Sequence, residues 1–286
     1  MKELYEKYKK LLFKLAYQLT GSVTDAEDVV QDIFVKLVDV PPEKLKEPKA
    51  YLCKMVTNRC RDLYKSARRK REQYYGEWLP EPLHHLNDDA MEEVVRDEQL
   101  SYAMLVLLER LSPTERIVFV LREALGFDYR EIAELVEKSE VNCRKLFSRA
   151  HAKMGMSPDQ SVVTEGAAPE HVHQFLSALK QGNLQQILAI LDPEVVLVAD
   201  GGGKVLAAAE PIPTRERVAQ FLLGPFRQAT TIEGIQLEVI RVNGHPAFRI
   251  RSSEGIHSVG ILHVENQRIH NIYIVRNPDK LTQVGE

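Results

Sequence analysis

Two all-α domains followed by an α+β cone form the fold class that this sequence predicts, on three observations. Over residues 1–154 apolar side chains recur at helical spacing, punctuated by caps such as Ser112-Pro113-Thr114-Glu115 and Asp128-Tyr129-Arg130-Glu131. Residues 155–168 are small and polar. Beyond them the period changes to alternation, with Asn243-Gly244 between two alternating runs as a hairpin signal. The expected division is 1–71 helical bundle, 72–89 linker, 90–154 helix-turn-helix domain, 155–168 flexible linker and 169–286 cone.

A chain of 286 residues, 44% apolar and 28% charged, has the make-up of a soluble protein of two or three domains. No apolar run reaches the length of a membrane span, and the amphipathic N-terminus has no cleavage site, so a cytoplasmic location without a membrane partner is expected. The three cysteines, Cys53, Cys60 and Cys143, form no CxxC or Cys/His cluster. That argues against a disulfide framework or a zinc site, and no metal or cofactor is expected. Cys53 and Cys60 lie on the apolar side of one helix and read as buried thiols, with a redox-sensing pair as the alternative.

The first helix carries Leu12, Leu15, Ala16 and Leu19 on one face and ends at Gly21. Thr24 to Glu27 reads as a capping box for a second helix with Val29, Ile33, Phe34 and Leu37 inward. Between Ser22 and Asp39 stand five acids (Asp25, Glu27, Asp28, Asp32 and Asp39) against Lys36. After a proline-rich loop, Ala50 to Arg71 contains no Gly or Pro. As one helix it spans roughly 33 Å. Lys54, Asn58, Arg61, Lys65, Arg68 and Arg69 share one face, and Leu52, Val56, Cys60, Leu63 and Ala67 the other. Residues 54–71 hold eight Lys/Arg against the single acid Asp62, a net +7 in a chain of −3. A cationic face on an apolar spine is a phosphate-binding surface. Arg59 falls towards the apolar side, where it snorkels or pairs with an acid of a neighbouring helix. Exposed ion pairs, worth about 0–1 kcal/mol each, do not explain an acidic helix beside a basic one. Two partners do: a protein and a nucleic acid.

Residues 72–89 hold the lone Trp78, two prolines and His84-His85, an adhesive linker whose histidines lack further metal ligands. A helix is expected over Ala90–Arg110 and another from Ser112 to Leu125, stopped by Gly126. Asp128 caps a short helix, Glu137 to Ser139 turn, and Ser139 caps the last helix. Ile132, Ala133, Val136, Val141 and Leu146 form the expected small core. Asn142, Arg144, Lys145, Ser148 and Arg149 then face a partner, as in a helix-turn-helix whose arginines suit guanine edges.

In the third domain, Glu170–Lys180 and Leu184–Leu191 read as helices with Phe175, Leu176, Leu179, Ile187 and Leu191 inward, and Asp192-Pro193 breaks the pattern. VVLVAD, a Gly201-Gly202-Gly203 turn, KVLAAA and a helix over Arg215–Leu223 precede four alternating strands. A curved antiparallel sheet around a central cavity is expected. Asp200, His257 and His263 are the candidate catalytic groups there. The two histidines fall on one side of a strand with no carboxylate clearly paired to them, so catalysis is not expected. A small-molecule ligand in the cavity stays open as an alternative.

LTGSVTDAEDVVQDIFVKL followed by YLCKMVTNRCRDLYKSARRK resembles the sigma-2 domain of extracytoplasmic-function sigma factors, initiation subunits of bacterial RNA polymerase. The matched positions are Asp25, Ala26, Glu27, Asp28, Gln31, Phe34, Asn58 and Asp62. The resemblance implies that Asp25, Glu27, Asp28, Gln31 and Asp32 dock on the core enzyme, whose beta-prime and beta subunits are the expected partners. It implies that Lys54, Asn58, Arg61, Asp62, Lys65, Arg68 and Arg69 take the melted minus-10 element. LSPTERIVFVLREALGFDYREIAELVEKSEVNCRKLFSRAHAKM resembles sigma-4, implying minus-35 recognition by Asn142, Arg144, Lys145, Ser148 and Arg149. The remainder resembles SnoaL-like domains of the nuclear-transport-factor-like fold, carried by one group of these sigma factors. Three motifs of that group are intact: Trp78, Leu79, Pro80, Glu81 and Pro82; Asp200, Gly201, Gly202, Gly203 and Lys204; Asn277, Pro278, Asp279, Lys280 and Leu281. The resemblance implies an intramolecular contact through which the cone modulates the sigma core, its end segment acting positively and its body negatively. The rival reading is a DNA-binding repressor or activator with a ligand-sensing C-terminal domain, which has no use for the acidic face.

Overall fold

The structure, a computed structural model, describes residues 2–38, 40, 45, 47–72, 74–84, 100–156, 167–229 and 235–284; over 65–72 and 225–229 it describes the helical backbone alone. The described residues fall into two units. One takes 2–72, Leu100 and 104–156; the other takes 74–84, Ser101–Ala103 and 167–284. No described helix is long and apolar enough to cross a membrane.

The first unit holds α1 (Lys2–Thr20), α2 (Val23–Leu37), α3 (Pro48–Glu72), most of α4 (Tyr102–Leu108), α5 (Pro113–Glu123), α6 (Tyr129–Val136) and α7 (Glu140–Met154). Leu12, Leu15, Leu19, Val29, Ile33, Leu37, Leu52, Val56 and Cys60 form the core of the α1–α3 bundle. Gly21, at φ +69°, reverses the chain after α1. The cap of α2 differs from the expected Thr24: Ser22 accepts from the Asp25 N–H at 3.2 Å. The reversal at Gly21 is so tight that Val23 is already helical and buried, which carries Thr24 into the first turn. Phe34 is half-buried and meets Tyr5 edge-on at 4.9 Å. Pro48 opens α3, where its missing N–H costs nothing.

The helix expected over Ala90–Arg110 is shorter where it is described: Leu100 and Ser101 are non-helical and α4 begins at Tyr102, while 90–99 lie outside the described residues. The boxes Ser112/Glu115 and Asp128/Glu131 and the Ser139 cap form as expected. Glu137, at φ 56°, makes the turn between α6 and α7. The small core is corrected at two places. Val141 is 63% exposed and Ala133 half-buried; Leu135 and Cys143 are buried in their stead, because α7 turns its 143–146–150–154 face inward.

The two helical bundles of this unit are joined through Arg116 of α5, whose side chain is wholly buried. Its Nε donates to the Gln18 carbonyl at 3.0 Å, and its Nη1 contacts the Tyr64 hydroxyl and the Glu109 carboxylate. Burial opposes the charge, and Glu109 outweighs it, so the guanidinium stays protonated. At the edge of the same contact Lys49 lies over the Phe127 ring at 4.9 Å, and Lys54 pairs with Glu137 at 2.8 Å.

The second unit holds α8 (Pro169–Lys180), α9 (Leu184–Ile190), β1 (Leu191–Asp200), β2 (Ile212–Pro213), α10 (Arg215–Ala229), β3 (Gln236–Val242), β4 (His245–Ser252), β5 (Gly255–Glu265) and β6 (Arg268–Val275), then two 3-10 turns, Pro278–Lys280 and Thr282–Val284. The sheet order is β2-β1-β6-β5-β4-β3. It is mixed rather than antiparallel throughout, since β1 runs parallel to β6 with Leu197 opposite Ile272. Asp192-Pro193 does not end the pattern but sits inside β1, where the register shifts between Leu191 and Val196 and spares the proline a ladder hydrogen bond. KVLAAA forms loop; the strand partner of β1 on that side is Ile212–Pro213.

One face of the sheet packs on the helices through Leu197, Phe248, Leu262 and Ile272. On this face Phe248 meets Phe175 at 5.6 Å and lies so close on Gly260 that a Cβ there would stand 2.0 Å from its ring. The other face carries Val242, Ala247, Val259, Ile261, Tyr273 and Val275, and it too is buried.

Replacing Arg116 by Ala leaves the buried Gln18 carbonyl without this donor and takes from the half-buried Glu109 its guanidinium partner. We expect a loss of about 3–5 kcal/mol in the first unit, read from chemical denaturation, with Lys unable to restore it because it lacks the second donor direction. The three thiols are free and buried, and burial pushes Cys53 and Cys60 up to about 12. The thiolate is the reactive form, so at pH 8 a thiol reagent should label Cys53 and Cys60 only after denaturant is added.

Candidate functional site

Burial of the sheet's second face needs a cover, and the chain supplies it from 74–84 and the C-terminal turns. Asp200, at the end of β1, is wholly buried, and an isolated carboxylate there would cost several kcal/mol. It has donors from three stretches of chain: Tyr74 Oη at 2.6 Å, the Leu79 N–H at 2.9 Å, the Gly202 N–H at 3.0 Å and Lys280 Nζ at 2.7 Å. Lys280 also donates to the Leu79 carbonyl at 2.6 Å and lies 4.0 Å over the Trp78 ring. Asn277 donates from Nδ2 to the Tyr74 hydroxyl at 2.8 Å. Burial, then the Asp200 carboxylate, hold the Tyr74 phenol well above its usual range, so it remains a donor.

The glycines are required by close approach. At Gly202, φ +62°, a Cβ would stand 2.4 Å from Asn277 Nδ2; at Gly201 it would stand 2.3 Å from the Val205 carbonyl. Lys204 closes the rim by an exposed pair with Asp279. Pro278 and Leu281 complete the C-terminal turn, Leu281 buried. Pro80 accepts from Tyr102 Oη at 2.6 Å, and Tyr102 packs on Tyr273. Glu81 and Pro82 are buried; Leu83 exchanges hydrogen bonds with Asn243 at 3.2 and 2.8 Å; His84 Nδ1 lies 2.8 Å from the Arg241 carbonyl. Val284 is held by Arg249, which donates to its carbonyl at 2.6 Å. The three motifs of the sequence thus meet in one junction. Tyr74, Tyr102 and Asn243 belong to it and were not legible as members: Asn243 reads as a hairpin residue, and the two tyrosines stand in no motif.

Among the other candidates, His257 sits at the register shift of β5 and pairs with Ser252 at 2.7 Å, so it does not share a face with His263 by simple alternation. His263 does meet a carboxylate, Glu265 at 3.2 Å, besides Asn271 at 3.0 Å. Both partners lie on neighbouring rungs of the hairpin, away from Asp200's donors. Among the described residues no His/Cys/Asp/Glu group could hold a metal. His85 lies outside the described residues.

On α2, Glu27, Asp28 and Gln31 are exposed and Asp25 and Asp32 half-buried. Asp32 pairs at 2.8 Å with Arg59, which resolves the misfit of that arginine. Val35 and Val38, 65% and 69% exposed, extend the same helix and carry no sequence motif. On α3, Asn58 and Asp62 are exposed and Lys54 and Arg61 half-buried; the side chains of Lys65, Arg68 and Arg69 lie outside the described residues. On α7, Arg144, Lys145, Ser148 and Arg149 are exposed and Asn142 half-buried. Arg144 stacks 4.2 Å over Tyr129 and pairs with Glu140 at 3.6 Å. Lys153 ties α7 to the buried cap residue Glu115 at 2.7 Å.

Asp200→Asn removes the counter-charge of Lys280 at 11% exposure of that side chain. The expected result is a lower thermal midpoint and rapid proteolysis within 74–84 and 277–284 under conditions that leave the parent chain intact.

Two family models match the chain: Sigma-70 region 2 over residues 4–70 and Sigma-70, region 4 over residues 101–154. The ECF RNA polymerase sigma factor SigJ of Mycobacterium tuberculosis is 30% identical over 97% of this chain and 92% of its own. The probable ECF RNA polymerase sigma factor SigI of the same organism is 29% identical over 96% and 92%. The crystal structure of Mycobacterium tuberculosis SigJ superposes with a TM-score of 0.79 at 29% identity, covering 99% of both chains. The helix-turn-helix, the segregated charges of α2 and α3, and a likeness that runs the whole length place this chain among the extracytoplasmic-function sigma factors of RNA polymerase.

Proposed function

We propose that the acidic α2 docks on the beta-prime subunit of core polymerase, α3 takes the melted minus-10 strand, α7 reads the minus-35 duplex, and the second unit sets how freely they do so. The chain acts in the cytoplasm and catalyses nothing itself; the polymerase supplies the chemistry. Exposed Val35 and Val38 beside Asp28 and Gln31 give α2 the mix of apolar and acidic side chains that a protein partner buries. The exposed Arg144, Lys145 and Arg149 of α7 offer forks and point charges to guanines and phosphates.

The observation that carries the regulatory part is Asp200. The segment that connects the minus-10 helix to the helix-turn-helix is held by a buried carboxylate of the C-terminal unit. Lys54, a minus-10 candidate, is meanwhile paired with Glu137 of the helix-turn-helix turn. In this reading the structure is a resting form, and promoter engagement separates the two bundles.

Run-off transcription with purified core polymerase tests both parts. Full-length chain should give a promoter-specific transcript, and Asp28→Lys should abolish it together with co-purification of core enzyme. Truncation after residue 276, which removes Lys280, should change transcript yield severalfold. Equal yields from full-length and truncated chains would end the regulatory reading, and absence of any transcript would end the assignment of α2 and α7.

A further inference from the structure

We propose that Val141 reads the 5-methyl group of a thymine in the minus-35 duplex. The inference deepens the reading of α7 as the helix in the major groove and rests on it.

Val141 is the one large apolar side chain that stands exposed among the described residues 104–156, at 63%. Its position on the helix is what distinguishes it. At about 100° per residue, the buried residues Cys143, Leu146, Ala150 and Met154 occupy an arc centred roughly 180° from Val141. Arg144, Lys145, Ser148 and Arg149 flank it on both sides, within about 80°. Val141 therefore sits at the centre of the cationic face, in the first turn after the Ser139 cap. A helix-turn-helix presents that first turn to base edges.

Local energetics do not account for a valine there. A β-branched residue is below alanine in helix propensity, and an exposed one gains nothing from burial. Its neighbours are polar and partnered: Arg144 stacks on Tyr129 and pairs loosely with Glu140 while staying exposed, and Asn142 is half-buried with its N–H on the Ser139 hydroxyl at 3.3 Å. Between two cations that hold phosphates or guanines, a short branched apolar side chain has one complementary feature in the major groove, the thymine methyl.

The test uses the full chain with core polymerase on promoters selected from a randomised minus-35 library. Each minus-35 thymine is then replaced singly by deoxyuridine, which removes the methyl and leaves every hydrogen-bonding group. Deoxyuridine at one position should lower the transcript about fourfold, the worth of one buried methyl. Val141→Ser should lower the thymine template by a similar factor and abolish the difference between thymine and deoxyuridine there. A Val141→Ser chain that still discriminates, a parent chain indifferent to deoxyuridine at every position, or a selected element without thymine would each overturn the assignment. Absence of any promoter-specific transcript overturns the reading of α7 itself, which is a separate and visible failure.

Discussion

A carboxylate at zero exposure is the constraint on which the second unit depends. Asp200 cannot be buried ionised unless donors replace its water, and the turn that follows β1 supplies only the Gly202 N–H. The other donors must come from elsewhere, and they come from Tyr74, Leu79 and Lys280, far away in the chain. Burying such a pair adds little net stability, because desolvation offsets most of the attraction. Breaking it is costly, because one charge is then left without its partner. The junction therefore acts as a specific fastening more than as a source of stability, and each of its three motifs is required by the other two.

Arg116 does the same for the first unit. Its fork reaches α1 at Gln18, α3 at Tyr64 and Glu109 just after α4, so one side chain ties the two bundles together. The exposed pair Lys54–Glu137 is screened by solvent and adds little. The buried cation thus adds a specific polar fastening to the packing of the bundles, while the exposed pairs lie at its edge.

Elements with local causes were legible in the sequence. The boxes at Ser112 and Asp128 and the cap at Ser139 are three-residue devices, and each formed as read. What was illegible depended on distant chain. Val141 looks like core by its type, and only the packing of α7 shows that its face is the outer one. Thr24 lost the cap to Ser22 because the Gly21 turn closes a residue or two sooner than periodicity suggests. The parallel pairing of β1 with β6 is set by long-range topology that alternation cannot encode. The three regulatory motifs were legible as a resemblance, but their meeting at Asp200 was not, since nothing in a string of residues tells which segment covers a sheet face.

The capture of the connector gives a physical route from the junction to the promoter. The chain leaves the first unit after Glu72, touches it again at Leu100 and rejoins it from Met104. Between these points Tyr74 is held by Asp200, and Tyr102 by Pro80 and Tyr273, so both ends of the connector are fixed on one body. Elements centred 10 and 35 base pairs before a start site lie about 85 Å apart along B-DNA. Released, the chain from Tyr74 to Tyr102 reaches roughly 90 Å when fully extended. A connector of that length, once free, is just long enough to serve both elements, whereas the stretch 74–84 is held along the second unit. Under the proposed function, withdrawing a donor from Asp200 would lengthen the tether, so that the second unit would act by holding chain.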